Sequence, residues 1–449
     1  MANRRAVIIG GGISGLTVGF DLSQAGWTVD VYEAGPRWGG KIGISPVGDR
    51  MVDDGPDGFL NRVDDGVNLA RDLGLGDSIC HPATSIPAYL VRQGQLFALP
   101  ASSILGVPTD LEALAANGVI SPAGVERARQ DLVAPPTPID DDISIGALCR
   151  ERLGDEITDR LIDPLLGGIN ASDIDRLSLR AGAPLLAAAL DRSHSLMQGL
   201  AQLRPPTPPG AKPDPIFAGL NGGTYQLIEG LVTHLEPRAG LHLNTKISDL
   251  RSVADGADAV IVAVPSDHAA GLVEPFSPTA AQGLKTIEYA SVSQVMVELP
   301  RSALRQDLNA SGLLFPPIDG TLITASTWMS SKWERHHQPD TVLIRLSSGR
   351  FGDERHLSYD DDALTTALLS DLGQVIDIDG SPVATRVNRY PRALPQYSPG
   401  HAGRVDKIFD ALAVDAPNIH LTGLSYRGIG IPACIERARS LAKRLDTAG

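Results

Sequence analysis

Residues 5–15 constrain this chain more than any other stretch. RAVII at 5–9 reads as a buried strand, and Gly10-Gly11-Gly12-Ile13-Ser14-Gly15 follows at once. Residues 13–25 carry helical spacing, and 28–33 (TVDVYE) read as a second strand. Strand, glycine turn and helix thus stand in the order of a dinucleotide-binding βαβ unit. Gly10 permits the tight turn, Gly12 lets a pyrophosphate approach the backbone, and Gly15 lets helix and strand pack closely. The phosphates would lie at the helix N-terminus, where backbone N–H groups and the helix dipole favour negative charge. Alone, the motif marks only a glycine-rich turn; its context makes it informative. Glu33 ends the second strand, 18 residues after Gly15. It is placed to accept hydrogen bonds from a ribose hydroxyl pair, and an acid there disfavours a 2′-phosphate and therefore NADP.

With 449 residues, 43% of them hydrophobic, the chain can bury more than one core. Aromatics are scarce at 4%, while 47 Gly and 33 Pro favour turns and loops. No internal period appears, which argues against a solenoid or propeller. The net charge of −14, without a basic cluster, argues against a nucleic-acid binder. Cys80, Cys149 and Cys434 are too far apart for a disulfide framework or zinc site and suit a reducing cytoplasm. The apolar run at 6–9 is too short for a signal peptide. No run of about 18 apolar residues exists, so no transmembrane segment is expected; peripheral membrane contact is compatible with this.

Further along, 66–74 have helical spacing, and 87–99 look like a hairpin turning at Gln93-Gly94. The pattern is mostly helical from about 105 to 200. A Pro-rich run at 204–215 is either a linker or a surface loop. Then come a helix near 224–236, strands at 241–247 and 258–264, and sheet-like alternation at 290–300 and 341–347. A helix at 361–373 precedes the closing strand (418–422), glycine loop and final helix from about 432. Nucleotide-type strands at both ends and in the middle suggest a discontinuous dinucleotide domain with other material inserted.

Glu33-Ala34-Gly35-Pro36-Arg37-Trp38-Gly39-Gly40-Lys41 resembles the E-x-x-x-R-x-G-G-[KR] continuation of the flavin amine oxidase superfamily. The resemblance implies FAD. The double glycine brings the backbone against the flavin side of the pyrophosphate, and the basic residues add positive charge. Residues 54–60 (DGPDGFL) resemble the G-P-[DE]-[SG]-F block of the protoporphyrinogen and coproporphyrinogen oxidases, which adds Gly55, Pro56, Asp57 and Gly58 to the cofactor site. Residues 163–177, the S-S-K-W block within 328–350, RYPRALPQYSPGH at 389–401 and GLSYRGIGIPACIERAR at 423–439 resemble further blocks of that family, in the same order. Two departures stand out. Asn170-Ala171-Ser172 replaces a frequent Tyr-Ala-Gly that shapes the pocket locally, and Ala433 stands where many relatives have Asp.

The resemblance implies an α/β fold. A discontinuous Rossmann-like FAD-binding domain (1–80, 210–265, 380–449) would join a mixed-sheet substrate-binding domain (81–104, 266–379). A helical insertion (105–209) lies near the membrane surface in relatives. It further implies oxidation of a porphyrinogen to a porphyrin by FAD and O2 in haem biosynthesis, in the cytoplasm or at the inner membrane face, beside neighbouring pathway enzymes. Loss of hydride from a methylene bridge leaves a cation spread over two electron-rich pyrroles, and a pyrrole proton then leaves easily. No catalytic side chain is therefore required; positioning and electrostatics are the protein's task. Gly423, Ile429, Gly430 and Ile431 belong to a turn whose helix favours negative charge on the flavin. Ile247 would meet the adenine, and Tyr390 stands near the flavin or in the core. Arg92, Lys332, Arg345 and Arg427 are candidates for the substrate carboxylates, with Asn170 in the same pocket. An arginine used by plant-type relatives is missing at 87–89. His336-His337 lacks partners at metal spacing, so no metal is expected. The low aromatic content and Ala433 favour coproporphyrinogen III over protoporphyrinogen IX. An amine oxidase or carotenoid desaturase would lack the S-S-K-W and A-L-P-Q-Y blocks. A non-catalytic flavin- and tetrapyrrole-binding paralogue is supported only by the altered 170–172 segment.

Overall fold

The computed structural model describes residues 4–83, 87–136, 142–203 and 215–447. All but the last residue of the Pro-rich run at 204–215 lies outside them.

The apolar run at 5–9 becomes the middle strand, Arg5–Ile9, of a five-stranded parallel sheet. The spatial order is Ala239–His242, Thr28–Tyr32, Arg5–Ile9, Ala259–Val262, Ile419–Leu421. Side chains of a strand alternate between faces. Ala6 and Ile8 enter the core beneath helices Ile13–Gln24 and Ile431–Thr447. Val7 and Ile9 enter a second core with helices Ser266–Val273, Pro278–Lys285 and His401–Asp415. Burial on both faces explains why this strand is a continuous apolar run rather than an alternating one. The chain steps from Arg5–Ile9 to one side first and to the other later. The crevice at the carboxyl ends of Arg5–Ile9 and Ala259–Val262 is therefore the topological switch point where such sheets bind ligands.

A second, seven-stranded sheet runs Ala384–Pro395, Tyr289–Pro300, Thr341–Ser348, Ile323–Thr327, Gly312–Leu314, Ala88–Arg92, Gln95–Ala98. Its pairings are antiparallel except that Gly312–Leu314 runs parallel to Ala88–Arg92. The hairpin at 88–98 turns at Gln93 (φ 51°) and Gly94 (φ 74°), the pair of positive φ values that a two-residue turn between twisted strands demands. Helix Asp361–Leu372 covers this sheet through Leu364, Leu368 and Leu372. The helices between Leu111 and Leu203 form a third core of their own, around Leu114, Leu148, Leu161, Leu186 and Leu200.

Two boundaries differ from the sequence reading. Ala384–Pro395, expected on the FAD side, pairs along Tyr289–Pro300 and forms an edge of the mixed sheet. Its polar residues, Pro391 and the positive φ of Arg392 (48°) suit an edge, where missing donors and a bulge are tolerated. The strand expected at 241–247 ends at His242. Beyond it the chain leaves the sheet so that Asn244 and Thr245 can donate their N–H groups to the carbonyls of Gly35 (3.0 Å) and Glu33 (2.8 Å).

Candidate flavin site

At the switch point, Gly10 has φ 111°, and a Cβ on it would lie 2.6 Å from the Ala263 carbonyl oxygen. A Cβ on Gly15 would lie 2.0 Å from the Gly10 oxygen. These two glycines are demanded by the fold itself. Gly12 differs: a Cβ there would meet nothing within 4 Å. It opens helix Ile13–Gln24 without any side-chain cap, so the N-terminal N–H groups face open space. The second glycine turn joins the first through Gly39 N–H to the Gly11 carbonyl at 2.8 Å, and Gly40 borders the same space.

Glu33 accepts hydrogen bonds from Gly11 N–H (Oε2, 2.8 Å) and Gly35 N–H (Oε1, 2.7 Å). Each oxygen keeps lone-pair capacity for a ribose hydroxyl. Ala34 follows it, and Ile247 is partly buried close by, brought in by the Asn244 and Thr245 contacts. Arg37 donates to the carbonyls of Trp38 (3.3 Å), Ile42 (3.0 Å) and Gly40 (3.0 Å), so its guanidinium braces the double-glycine loop. Burial pushes the Lys41 ammonium pKa down, while Cys434 and Asp267 pull it up.

A second helix N-terminus arrives at the same place. Gly428 (φ 84°) and Gly430 (φ 108°), with Ile429 between them, lead into Ile431–Thr447. Burial raises the Cys434 thiol pKa against a hydrogen bond from Ser14. Gly423 (φ 120°) lies beside the Ser14 hydroxyl. The hydroxyl of Thr422 is buried there without a partner. Two helix N-termini, two glycine turns and an orphaned hydroxyl thus surround one crevice, a set of donors that suits a dinucleotide carrying a pyrophosphate.

The loop 53–58 closes one side. A Cβ on Gly55 would lie 2.5 Å from the Lys41 carbonyl and 3.5 Å from the Tyr390 hydroxyl, and Asp54 N–H donates to the Gly43 carbonyl at 2.9 Å. Burial pushes the Tyr390 phenol up to about 12, which keeps it neutral. After Pro56, Asp57 is buried, and its carboxylate accepts from Lys332 (2.7 Å), Trp333 Nε1 (2.6 Å) and Arg345 (2.8 Å). Burial opposes its charge, but Arg345 and then Lys332 outweigh burial and hold it well below the usual carboxylate range. A Cβ on Gly58 would lie 3.0 Å from the Trp333 ring.

The five residues expected near substrate carboxylates are not gathered into one clamp. Lys332 and Arg345 point at Asp57. Arg92 bonds the Val119 carbonyl and pairs with Glu156 at 3.1 Å on the helical side. Arg427 pairs with Asp406 and lies over Phe409. Asn170 is buried, donating to the Leu166 carbonyl at 2.8 Å, and Ala171 beside it takes φ 46°. Sequence reasoning passed over Arg335, which donates to Asp53 (2.9 Å), the Leu220 carbonyl (3.0 Å) and the Asp57 carbonyl (3.1 Å). Its signal was present, since it stands two residues after the S-S-K-W block. His336 is buried and neutral, lowered to about 3 by burial and then by Arg335. No metal-ligating cluster occurs among the described residues.

Flavin containing amine oxidoreductases match residues 13–446. The chain belongs to that family. It is an oxidoreductase that works with a flavin. Coproporphyrinogen III oxidase of Bacillus subtilis is 32% identical, with 97% of each chain covered. Coproporphyrinogen III oxidase of Mycobacterium tuberculosis is 33% identical, covering 98% of this chain and 96% of its own. Among solved structures, a candidate protoporphyrinogen oxidase from Exiguobacterium sp. 255-15 superposes with a TM-score of 0.88 at 28% identity, with each chain covered in full.

Proposed function

We propose that this protein is an FAD-dependent coproporphyrinogen III oxidase that passes the substrate's electrons to O2 in haem biosynthesis. The observation that carries the reading is end-to-end similarity, at 32–33% identity, to coproporphyrinogen III oxidases from two bacterial lineages. The crevice supports it. Gly12 and Gly40 leave space for a pyrophosphate, and Glu33 lies where an adenosine ribose would meet it. These features favour the dinucleotide FAD over a mononucleotide flavin.

Bound in this crevice, the flavin would accept hydride from a substrate methylene bridge and deliver electrons to O2 as hydrogen peroxide. The chain's own residues bind and orient. The N-terminus of Ile13–Gln24 would hold the pyrophosphate, and that of Ile431–Thr447 would favour negative charge at the flavin ring. Tyr390, neutral and lodged beside Gly55, would border the flavin without adding charge. No side chain has to act as general base, because the oxidised bridge acidifies its own pyrrole N–H. No helix among the described residues is long and apolar enough to cross a membrane, and we place the work in the cytoplasm or at the inner membrane face.

Likeness to the Exiguobacterium structure favours protoporphyrinogen IX as the second reading. Aerobic incubation with each porphyrinogen, following porphyrin fluorescence and peroxide, tests both. Faster turnover of coproporphyrinogen III is the expected result. Preference for protoporphyrinogen IX would move the enzyme to the second reading. No turnover by yellow, flavin-loaded protein would leave a non-catalytic binder.

A further inference from the structure

The loop 53–58 is held from two sides, the second glycine turn and the segment 332–345 that leads into the mixed sheet. On one side it lies on the second glycine turn, through Asp54 N–H to the Gly43 carbonyl and through Gly55 against the Lys41 carbonyl. On the other, each polar partner of the Asp57 carboxylate comes from 332–345, within the mixed-sheet half. Arg345 spans the loop, donating to the Gly55 carbonyl (3.0 Å) and to Asp57 Oδ1 (2.8 Å) and so bracketing Pro56. Arg335 bonds the Asp57 carbonyl and the Asp53 carboxylate, whose other oxygen accepts Thr224 N–H at 2.7 Å. Asp53, Asp57 and Arg345 are buried.

A buried ion cluster of this kind is weak evidence for stability, because desolvation offsets much of its attraction. What it supplies is registry. Apart from Arg345 Nε, which is buried without a partner, the charged groups pair with one another in one relative placement of the glycine turn and the mixed sheet. We propose that Arg345, with Lys332, is a positioning residue. Both act through Asp57 to hold the 53–58 loop against the flavin and to set the distance between flavin and substrate, rather than binding a substrate carboxylate. The catalytic half of this assignment rests on the oxidase reading above. The flavin-binding half does not.

The test is a double-mutant cycle of Asp57→Asn and Arg345→Met, with Arg345→Lys as the conservative variant. FAD affinity is read by flavin fluorescence quenching, and kcat and KM with coproporphyrinogen III. Each single change is expected to weaken FAD about tenfold and to lower kcat about 100-fold, the scale of a misplacement of roughly 1 Å, with KM within about threefold. The double variant should be no worse than Asp57→Asn alone, because the two residues act as one unit. Arg345→Lys should recover part of both losses. Arg345→Met raising KM about tenfold or more, with kcat and FAD affinity unchanged, would make it a substrate clamp and overturn the proposal. A lower melting temperature with FAD affinity and kcat unchanged in the folded protein would overturn it too. Should the buried changes prevent folding, Lys332→Met removes a partly exposed partner and leaves Arg345 in place. It is expected to weaken FAD by about threefold, and unchanged affinity sinks the idea. If the unaltered protein oxidises no porphyrinogen, the oxidase reading fails, while the FAD affinities still decide the positioning role.

Discussion

Gly12 and Gly15 stand three residues apart and answer to different forces. At Gly15 an added methyl would overlap the Gly10 carbonyl at 2.0 Å and press on Ile8. At Gly12 it would enter open space, on a backbone (φ −79°, ψ 177°) that any residue adopts. Gly15→Ala is therefore expected to destabilise the flavin-free protein by about 3 kcal/mol, the upper end of overpacking costs. Gly12→Ala should leave that stability within about 0.5 kcal/mol and weaken FAD about tenfold or more, equal to about 1.4 kcal/mol. Urea unfolding of flavin-free protein, beside FAD titration, separates the two effects. Equal loss of stability in both variants would contradict the division. Both glycines could be named from sequence because a strand, a turn and a helix follow one another without a gap. The opposite fates of Arg37 and Arg345 could not. One braces backbone carbonyls five residues or fewer away, and the other reaches a carbonyl 290 positions away.

Helix Leu196–Leu203 has the apolar spacing that marks it in the sequence, and the Ser195 hydroxyl before it accepts Gln198 N–H at 3.1 Å, but no neighbour in sequence takes the N–H groups of Leu196 and Met197. The answer lies 65 residues upstream. The buried Asp131 carboxylate accepts from Leu196 N–H (3.1 Å), Met197 N–H (3.0 Å) and the Ser195 hydroxyl (2.7 Å), with Arg152 at 3.9 Å. It does the work of an N-cap from outside the helix. Asp131→Ala would strand those donors in a dry core, at a cost of about 2–3 kcal/mol. Chemical denaturation should report that loss, and a change under about 0.5 kcal/mol would mean that other groups take over the cap. The same long reach hid the edge strand Ala384–Pro395. Its two prolines and three arginines show no strand alternation by themselves, and only pairing with Tyr289–Pro300 makes them an edge.

Over the whole molecule, buried histidines tie stability to pH. Burial, partly opposed by the hydrogen bond to the Tyr426 carbonyl, lowers His401 to about 4. Burial and then Arg335 lower His336 to about 3. A histidine depressed below its ordinary value near 6.5 contributes stability that is fully present above that value. The contribution is lost as pH falls through the folded value, because the unfolded chain takes up the proton first. For His401 the whole effect is roughly 3 kcal/mol between pH 6.5 and 4. Asp53, despite its pairing with Arg335, and Asp163, despite Arg350, are pushed up to about 6 by burial and act in the opposite direction over that range. A difference measurement isolates the histidine. His401→Gln should lose less stability than the unaltered protein between pH 6.5 and 4, by roughly 3 kcal/mol. Parallel pH curves would place the proton elsewhere.

By itself the sequence determined the flavin-binding unit, the α/β class and the family. Each rests on short-range order: apolar runs, glycines at fixed offsets, and blocks of neighbours that stay together however the chain folds. Tertiary structure alone decided which charges face each other. Lys332 and Arg345 look like free cations in sequence, and they become partners of Asp57 only when folding carries them across 275 and 288 residues. The physical reason is the range of the forces. Periodicity and turn geometry are set within a few residues, whereas burying a charge is tolerable only beside its counter-charge, and that partner can come from anywhere in the chain.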